Sequence, residues 1–466
     1  MMLTRFLFPT VFLFLNILIL CPAGFGQISS CTGKDPHRRR NGSSGGIHLD
    51  LHHVHGRCSR TWEKAPPLNL SALEVDDENR VRSMVYRVGE KSSDAIRTTT
   101  TVSDTGVRSP LVSGIVIGVG NYIVKVQLGT PATSFLMVVD TGSSFNWLQC
   151  KPCSVSCHYQ IGSIFDPKSS TTYAKIHCDS NVCSHAQAAT LSRVSCNASV
   201  LTTPCKYTAE YGDGSFSSGY VSKDTLRIGG KTLQRFVFGC GQNNMGLYGA
   251  SAGLIGLSRN KLSLLTQFSS HHGSASFSYC LPTSTGSGGY LSIGASYNAS
   301  DYVFTAMLPS SLDKSLYFMD LIGITVSQSS ILASSDEYTR NPTIIDSGTV
   351  ITRLSSNMYT PFREAIKSAM SGNARALSPL SIFDTCFIGS YRSLEVPDVE
   401  MVLGGGSRIK LTPGNIFYDI PRLGITCLAF AGNSRITIIG NMQHQTFNVV
   451  YDISKRVIGF APGGCS

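Results

Sequence analysis

The sequence predicts a mostly β protein of two domains, and three observations carry that expectation. Asp140-Thr141-Gly142-Ser143 returns in altered form as Asp346-Ser347-Gly348-Thr349, each preceded by an apolar pair, Val138-Val139 and Ile344-Ile345. Aromatic, glycine and serine residues are spread along a chain that is only 15% charged, which favours a β-rich globular protein over a disordered one. A length of 466 residues exceeds what one small core needs and suffices for two domains plus processing segments.

Each copy of the repeated stretch reads as a buried strand that delivers a carboxylate into a tight turn, where glycine lets the backbone come close to a second, similar turn. One copy alone would be weak evidence, because Asp commonly caps turns at strand ends. Two copies can face each other. Like-charge repulsion then keeps both carboxylates from ionising together, and the pair holds one proton across mildly acidic pH. One acts as base and the other as acid, so Asp140 and Asp346 can activate a water against a peptide carbonyl with no metal, no cofactor and no covalent intermediate.

Trp147, seven residues after the first Asp, and the later Tyr211-Gly212-Asp213-Gly214-Ser215 extend the pattern. Read alone, Tyr211 to Ser215 is the flexible tip of a hairpin. Together with the two Asp loops these residues resemble pepsin-like aspartic proteases. Cys150, Cys153, Cys157, Cys178, Cys183, Cys196 and Cys205 crowd one stretch, which resembles the cysteine-rich insert of the nepenthesin-type plant subfamily. A zinc module is the competing reading, but the spacings are uneven and an oxidising compartment is expected.

The resemblance covers essentially the whole mature region. It implies a bilobal pepsin-like acid protease fold with a central cleft and the cysteine-rich insert in the N-terminal lobe. It also implies roles. Thr141 and Ser347 would cross-link the two loops, Gly142 and Gly348 would let them approach, and Ser143 and Thr349 would orient the outer carboxylate oxygens. The hairpin becomes a flap over the cleft, with Tyr211 facing substrate and hydrogen-bonding toward Trp147. Leu254-Ile255-Gly256 and Ile438-Ile439-Gly440 would pass behind the catalytic loops and brace them. By order along the chain, the implied disulfides are Cys150–Cys153, Cys157–Cys240, Cys178–Cys205, Cys183–Cys196, Cys280–Cys465 and Cys386–Cys427; spacing alone does not fix connectivity.

The N-terminus carries Arg5, an apolar run over residues 6–20 and small residues at Gly24 and Gly26. This reads as a secretory signal over 1–26, too short for a comfortable bilayer span and therefore cleaved, which leaves no membrane anchor. Fourteen of the 15 cysteines lie beyond it, an even number suited to disulfides. Asn41, Asn69, Asn197 and Asn298 begin Asn-x-Ser acceptors, of which Asn197 and Asn298 fall in the mature part. Residues 27–114 read as a propeptide. They hold a basic triplet Arg38-Arg39-Arg40, a possible strand around Ile47, Leu49 and Leu51, a cluster of His52, His53, His55 and Cys58, and the polar series Asp76-Asp77-Glu78-Asn79-Arg80. Metal binding by the His/Cys cluster ranks far below a Cys58–Cys31 pair, and His protonation is the expected pH trigger of activation.

The N-terminal catalytic lobe is expected over 115–282 and the C-terminal one over 283–466. Residues 121–128 alternate as a strand, 134–139 form the next, and 262–268 and 355–370 are the best helix candidates. In the second helix Ser355 or Ser356 caps, Tyr359, Phe362, Ile366 and Ala369 share a face, and Pro361 fits only a first turn. The formal charge of +10 falls to +6 from Ile115 onward, 25 basic against 19 acidic residues with no basic block. That describes a solvated, mildly basic surface and gives no nucleic-acid footprint.

The expectation is a secreted aspartic endopeptidase, apoplastic or vacuolar, made as a zymogen. It would be monomeric and acid-active on extended polypeptides, with its own propeptide as inhibitor. Two alternatives rank below it. One is a catalytically silent relative that inhibits cell-wall-degrading enzymes, for which the intact Asp pair, hydroxyl neighbours and flap Tyr are the wrong signature. The other is a plastid DNA-associated protease, against which the apolar leader argues.

Overall fold

The computed structural model describes residues 70–89, 107–113, 121–190, 203–211, 215–246, 248–283, 288–334, 341–372, 376–377, 379–380 and 382–465. All of these lie in one unit, Arg40–Ser466. The signal segment, the His/Cys cluster, Asn41, Asn69, Asn197, Cys196 and the flap tip Gly212-Asp213-Gly214 lie outside the described residues.

Strand content dominates, and the repeated sequence stretches are repeated structure. In the first half, β1 (Thr133–Asp140) runs parallel to β3 (Gly253–Gly256), with Val139 opposite Ile255 and Asp140 opposite Gly256. Between them in the chain, β2 (Trp147–Gln149) lies antiparallel to β3. The second half repeats this scheme. There β4 (Thr343–Ile345) runs parallel to β6 (Thr437–Ile439), with Ile344 opposite Ile438, and β5 (Thr352–Ser355) meets β6 antiparallel at Arg353 and Ile438. The residues leading into each Asp, Met137 to Val139 and Ile344 to Ile345, are apolar and buried, as strands in parallel pairing generally are.

The expected brace at Gly256 and Gly440 has a steric cause. A Cβ at Gly256 would sit 2.4 Å from the Ser143 carbonyl oxygen, and one at Gly440 would sit 2.7 Å from that of Val350. The freed space lets a side chain bind the glycine amide: Gly256 N–H donates to Asn146 Oδ1 at 3.0 Å and Gly440 N–H to Thr352 Oγ1 at 2.8 Å.

A 14-stranded sheet carries the first half and takes in strands Asn448–Asp452 and Val457–Ala461 from the end of the chain. The 121–128 expectation matches strand Tyr122–Leu128. Val107–Ser113, placed by the sequence in the propeptide, is paired on both sides, with Tyr122–Leu128 and with Gly289–Ile293. Its backbone pairing ties it to the sheet, since an absent central strand would leave two rows of unpaired backbone groups.

Helix α1 (Leu70–Gly89) was not foreseen. Its Val81, Met84 and Val88 recur at helical spacing and pack on Leu316, Phe318, Ile344, Ile436 and Ile438. Helix α2 (Asn181–Thr190) lies in the cysteine-rich region. The 262–268 expectation is met by α3 (Leu264–His272), which starts where the Ser263 hydroxyl accepts from Thr266 N–H. Helix α4 (Ser356–Met370) corrects three details of the 355–370 reading. Ser355 is the capping residue but makes no side-chain cap bond, Pro361 lies in the second turn, and Met370 is buried where Ala369 is exposed.

Of the disulfides, Cys280–Cys465 and Cys386–Cys427 form as expected, the second between directly opposed residues of an antiparallel pair. The insert pairs differently. Cys150 joins Cys240 and Cys153 joins Cys157, in place of Cys150–Cys153 and Cys157–Cys240. The cause is register: Leu148 lies opposite Cys240 and Cys150 N–H donates to Gly241 O at 2.7 Å, so Cys150 and Cys240 come within 5.4 Å at Cα. Cys183 joins Cys205, in place of Cys178–Cys205 and Cys183–Cys196, because α2 lays Cys183 against the start of strand Lys206–Glu210. Cys178 is also disulfide-bonded.

Gly440→Ala should lower stability by about 1–3 kcal/mol through forced overpacking. A thermal unfolding curve of the variant beside the parent measures it, and an unchanged midpoint would show that the Val350 loop gives way freely.

Candidate active site

The two Asp loops meet tip to tip. Thr141 N–H donates to Ser347 Oγ at 3.2 Å, and Ser347 N–H donates to Thr141 Oγ1 at 2.8 Å. All four groups are buried, so each bond satisfies a donor that has no water to turn to. The glycines permit the contact: a Cβ on Gly142 would lie 2.7 Å from Asp346 Oδ1, and one on Gly348 would lie 2.4 Å from Asp140 Oδ1.

Asp140 and Asp346 are 1% and 0% exposed. Gly142 N–H donates to Asp140 Oδ1 at 2.8 Å and Gly348 N–H to Asp346 Oδ1 at 3.2 Å. The outer oxygens are held by hydroxyls, Ser143 on Asp140 Oδ2 and Thr349 on Asp346 Oδ2, the latter at 2.7 Å. Behind the loops, Asn441 Nδ2 donates to Ser347 O at 3.1 Å. Ile439 O accepts from both Asp346 N–H and the ring of His444. Burial drives His444 down to about 4, against a weaker upward pull from Asp346, so it stays neutral above that pH.

The sequence reading missed the group that occupies the cleft. Arg80 of α1 places Nη2 at 2.5 Å from Asp140 Oδ1 and 3.2 Å from Asp346 Oδ1, with Nε 3.2 Å from Asp346 Oδ2. One guanidinium thus bridges both carboxylates. Burial pushes each carboxyl up. For Asp346, Arg80 with Thr349 and the Gly348 N–H outweighs burial and brings it to about 2. For Asp140, burial and the neighbouring Asp346 charge prevail over Arg80, and it stands above the ordinary carboxylate value. The two protons of the pair are therefore held unequally.

Ion pairs to two further residues, Asp313 and Arg353, fix α1. Arg87 meets Asp313 at 2.8 Å and also donates to the Gly142 carbonyl. Asp77 meets Arg353 at 2.9 Å. A signal for α1 existed in the sequence, since Asp77, Arg80, Met84 and Arg87 recur every three or four residues. The run of charges around them masked it.

Strands Lys206–Glu210 and Phe216–Ile228 make the hairpin, closed by Tyr211 N–H to Ser215 O at 2.9 Å. Trp147 Nε1 donates to Tyr211 Oη at 2.8 Å, and both rings pack against Tyr248. Asn298 is exposed and caps a short turn through Ser300 N–H. Among the described residues no His, Cys, Asp and Glu side chains group as a metal site.

Two matched Asp loops, one from each half, joined at their tips, with a hairpin tied to the first by Trp147 and Tyr211, define the pepsin-like architecture. The chain belongs to the pepsin-like aspartic protease family, in its nepenthesin-type plant branch. Residues 122–295 match the family model described as xylanase inhibitor N-terminal, and 316–462 match its C-terminal counterpart. An aspartyl protease family protein of Arabidopsis thaliana is 37% identical over 90% of this chain and 87% of its own. Aspartic proteinase nepenthesin-2 of Nepenthes gracilis is 33% identical over 78% of this chain and 81% of its own. Among solved structures, basic 7S globulin from soybean shares the fold at a TM-score of 0.61 and 22% identity, covering 76% of this chain and 96% of the globulin. For edgp the TM-score is 0.62 at 20% identity, covering 78% of this chain and 96% of edgp.

Thr141→Val keeps the shape of the side chain but strips the acceptor from Ser347 N–H. It should cost about 1–3 kcal/mol, read as a lower unfolding midpoint; a neutral result would mean that the cross-link is not a source of stability.

Proposed function

We propose that this chain is the precursor of a secreted aspartic endopeptidase. The observation that carries the reading is the pair of buried carboxylates, Asp140 and Asp346, brought by the two repeated loops to a single shared guanidinium. With Arg80 withdrawn, two acids this close retain one proton between them at mildly acidic pH. The ionised member takes a proton from a water as that water attacks the peptide carbonyl, and the protonated member delivers its proton to the carbonyl oxygen. Gly142 and Gly348 amides, Ser143 and Thr349 fix the carboxylate planes, so no reorganisation is needed as the proton moves. The hairpin carrying Tyr211 closes on the substrate and excludes water.

Helix α1 is then an inhibitory part of the propeptide. Burying Val81, Met84 and Val88 contributes about 1.5–3 kcal/mol each, an amount that pH does not touch. Charge supplies the pH dependence. Arg80, with Thr349 and the Gly348 N–H, holds Asp346 at about 2, and Arg87, with Ser315, holds Asp313 below its ordinary value in spite of burial. Loss of Arg80 and Arg87 with α1 therefore takes up protons at these two carboxyls, which favours release as pH falls. Asp77 acts the other way, since burial raises it while docked. Loss of the Arg80 and Arg87 ion pairs makes acid the trigger and cleavage of the segment the completing step. Because Val107–Ser113 is paired on both sides, we place that cleavage before Val107 rather than near residue 115.

The descriptions of the matching family models favour a second reading, an inhibitor of wall-degrading enzymes. The complete set of dyad groups supports the peptidase.

Acid-treated precursor should digest denatured globin at pH 3–6 and be blocked by pepstatin, while Asp140→Asn or Asp346→Asn should lose more than about a thousandfold in rate with an unchanged fold. Residual cleavage in either variant, or xylanase inhibition without proteolysis, would overturn the peptidase reading. N-terminal sequencing across a pH series should show α1 lost faster as pH drops below about 4. Loss at equal rates at pH 3 and pH 7 would refute the proton-linked latch.

A further inference from the structure

The Asp77 carboxylate sits in a built anion site of the second lobe. Val350 N–H and Ile351 N–H both donate to it, the latter at 3.3 Å, and Arg353 Nη2 lies 2.9 Å away. Arg353 is 1% exposed, and its other contacts are Glu78 at 2.9 Å and the Ile351 carbonyl at 3.1 Å. Among the described residues, the carboxylates that pair with Arg353 all belong to α1. When α1 departs, a cation and two amides remain in the cleft wall with no acid among the other described residues paired to the cation. An unanswered cation in a largely desolvated wall is costly, so this place favours an incoming negative charge.

Its position relates the site to the reaction centre. Asp77 and Arg80 are three residues apart on one helix face, about 4.5 Å along the axis, and Arg80 is the residue on the dyad. An extended peptide advances about 3.3 Å per residue. A side chain that reaches the Asp77 position therefore belongs to a residue within about three of the bond over the dyad.

Resting on the peptidase reading, we propose that Arg353, with the Val350 and Ile351 amides, is a specificity anchor for an Asp or Glu side chain of the substrate, which occupies the place that Asp77 holds in the precursor. The preferred substrates are polypeptides with an acidic residue at one fixed position close to the scissile bond. Asp77 inhibits by imitating that residue while Arg80 blocks the dyad.

The test uses full-length precursor after acid incubation, assayed at pH 5.5 so that free Asp side chains are ionised. Peptide pairs differing only by Asp or Asn are compared at each of three positions on either side of the cleaved bond. At one position kcat/KM should favour Asp by about tenfold or more. The ratio should collapse to about one in Arg353→Gln and partly return in Arg353→Lys. Equal rates on Asp and Asn peptides at every position, or a preference that persists in Arg353→Gln, would overturn the proposal. Should Arg353→Gln not fold, the comparison with unaltered protein decides alone.

Fluorescence anisotropy supplies a readout without turnover. A labelled peptide of residues 70–89 should bind the acid-treated chain at least about tenfold tighter than its Asp77→Asn counterpart. Discrimination in binding with no cleavage of any peptide would sink the peptidase reading and keep the anion site. Cleavage without discrimination in either assay would do the reverse.

Discussion

The reciprocal hydrogen bonds between Thr141 and Ser347 are the constraint on which the rest of the molecule turns. Each backbone amide at the tip of one loop finds its acceptor on the other loop, so neither half can satisfy its own buried donors alone. Every feature around them serves that meeting. Gly142 and Gly348 clear the space, and Gly256 and Gly440 let the bracing strands pass within contact of the loops. The apolar pairs before each Asp hold the strands in a covered layer. The duplication seen in the sequence is thus a physical requirement: two like turns can cross-link each other, whereas one turn would be left with orphan groups.

That meeting creates an electrostatic problem, two acids in a dry site, and the chain answers it with charge brought from elsewhere. Arg80 neutralises the pair in the structure described, while Asp313 and Arg353 accept the helix that carries it. Along the contact with the second half, α1 presents its acids Asp77 and Glu78 to Arg353 and its cations Arg80 and Arg87 to Asp346 and Asp313. The apolar residues of α1 set how firmly it sits, and the charges set how that firmness responds to acid.

Much of this was legible in the chain. Period-two alternation located Tyr122–Leu128, and an echo of four residues located both Asp loops, because a buried strand ending in a tight turn leaves few choices of residue. Other features were not legible. The insert disulfides depend on the register of Trp147–Gln149 against Lys231–Met245, a long-range fact that sequence order does not encode. Helix α1 buries one narrow stripe beneath many charges, so its composition resembled a polar linker. Pro361 sits on the exposed side of the second turn of α4, a position that sequence alone read as a first turn. Arg80 and Arg353 could not be singled out, since a cation declares its role only when its partner is placed.

The bond between Cys280 and Cys465 spans 185 residues and nearly closes the second half of the chain upon itself. That half is in effect a covalent ring, shut at the very end of the sequence. A ring cut once remains one molecule. A single nick in any of its surface loops would open the circle without shedding a fragment, and the strands already paired would hold the cut ends near their places. This closure turns a first accidental cut from a loss into a scar.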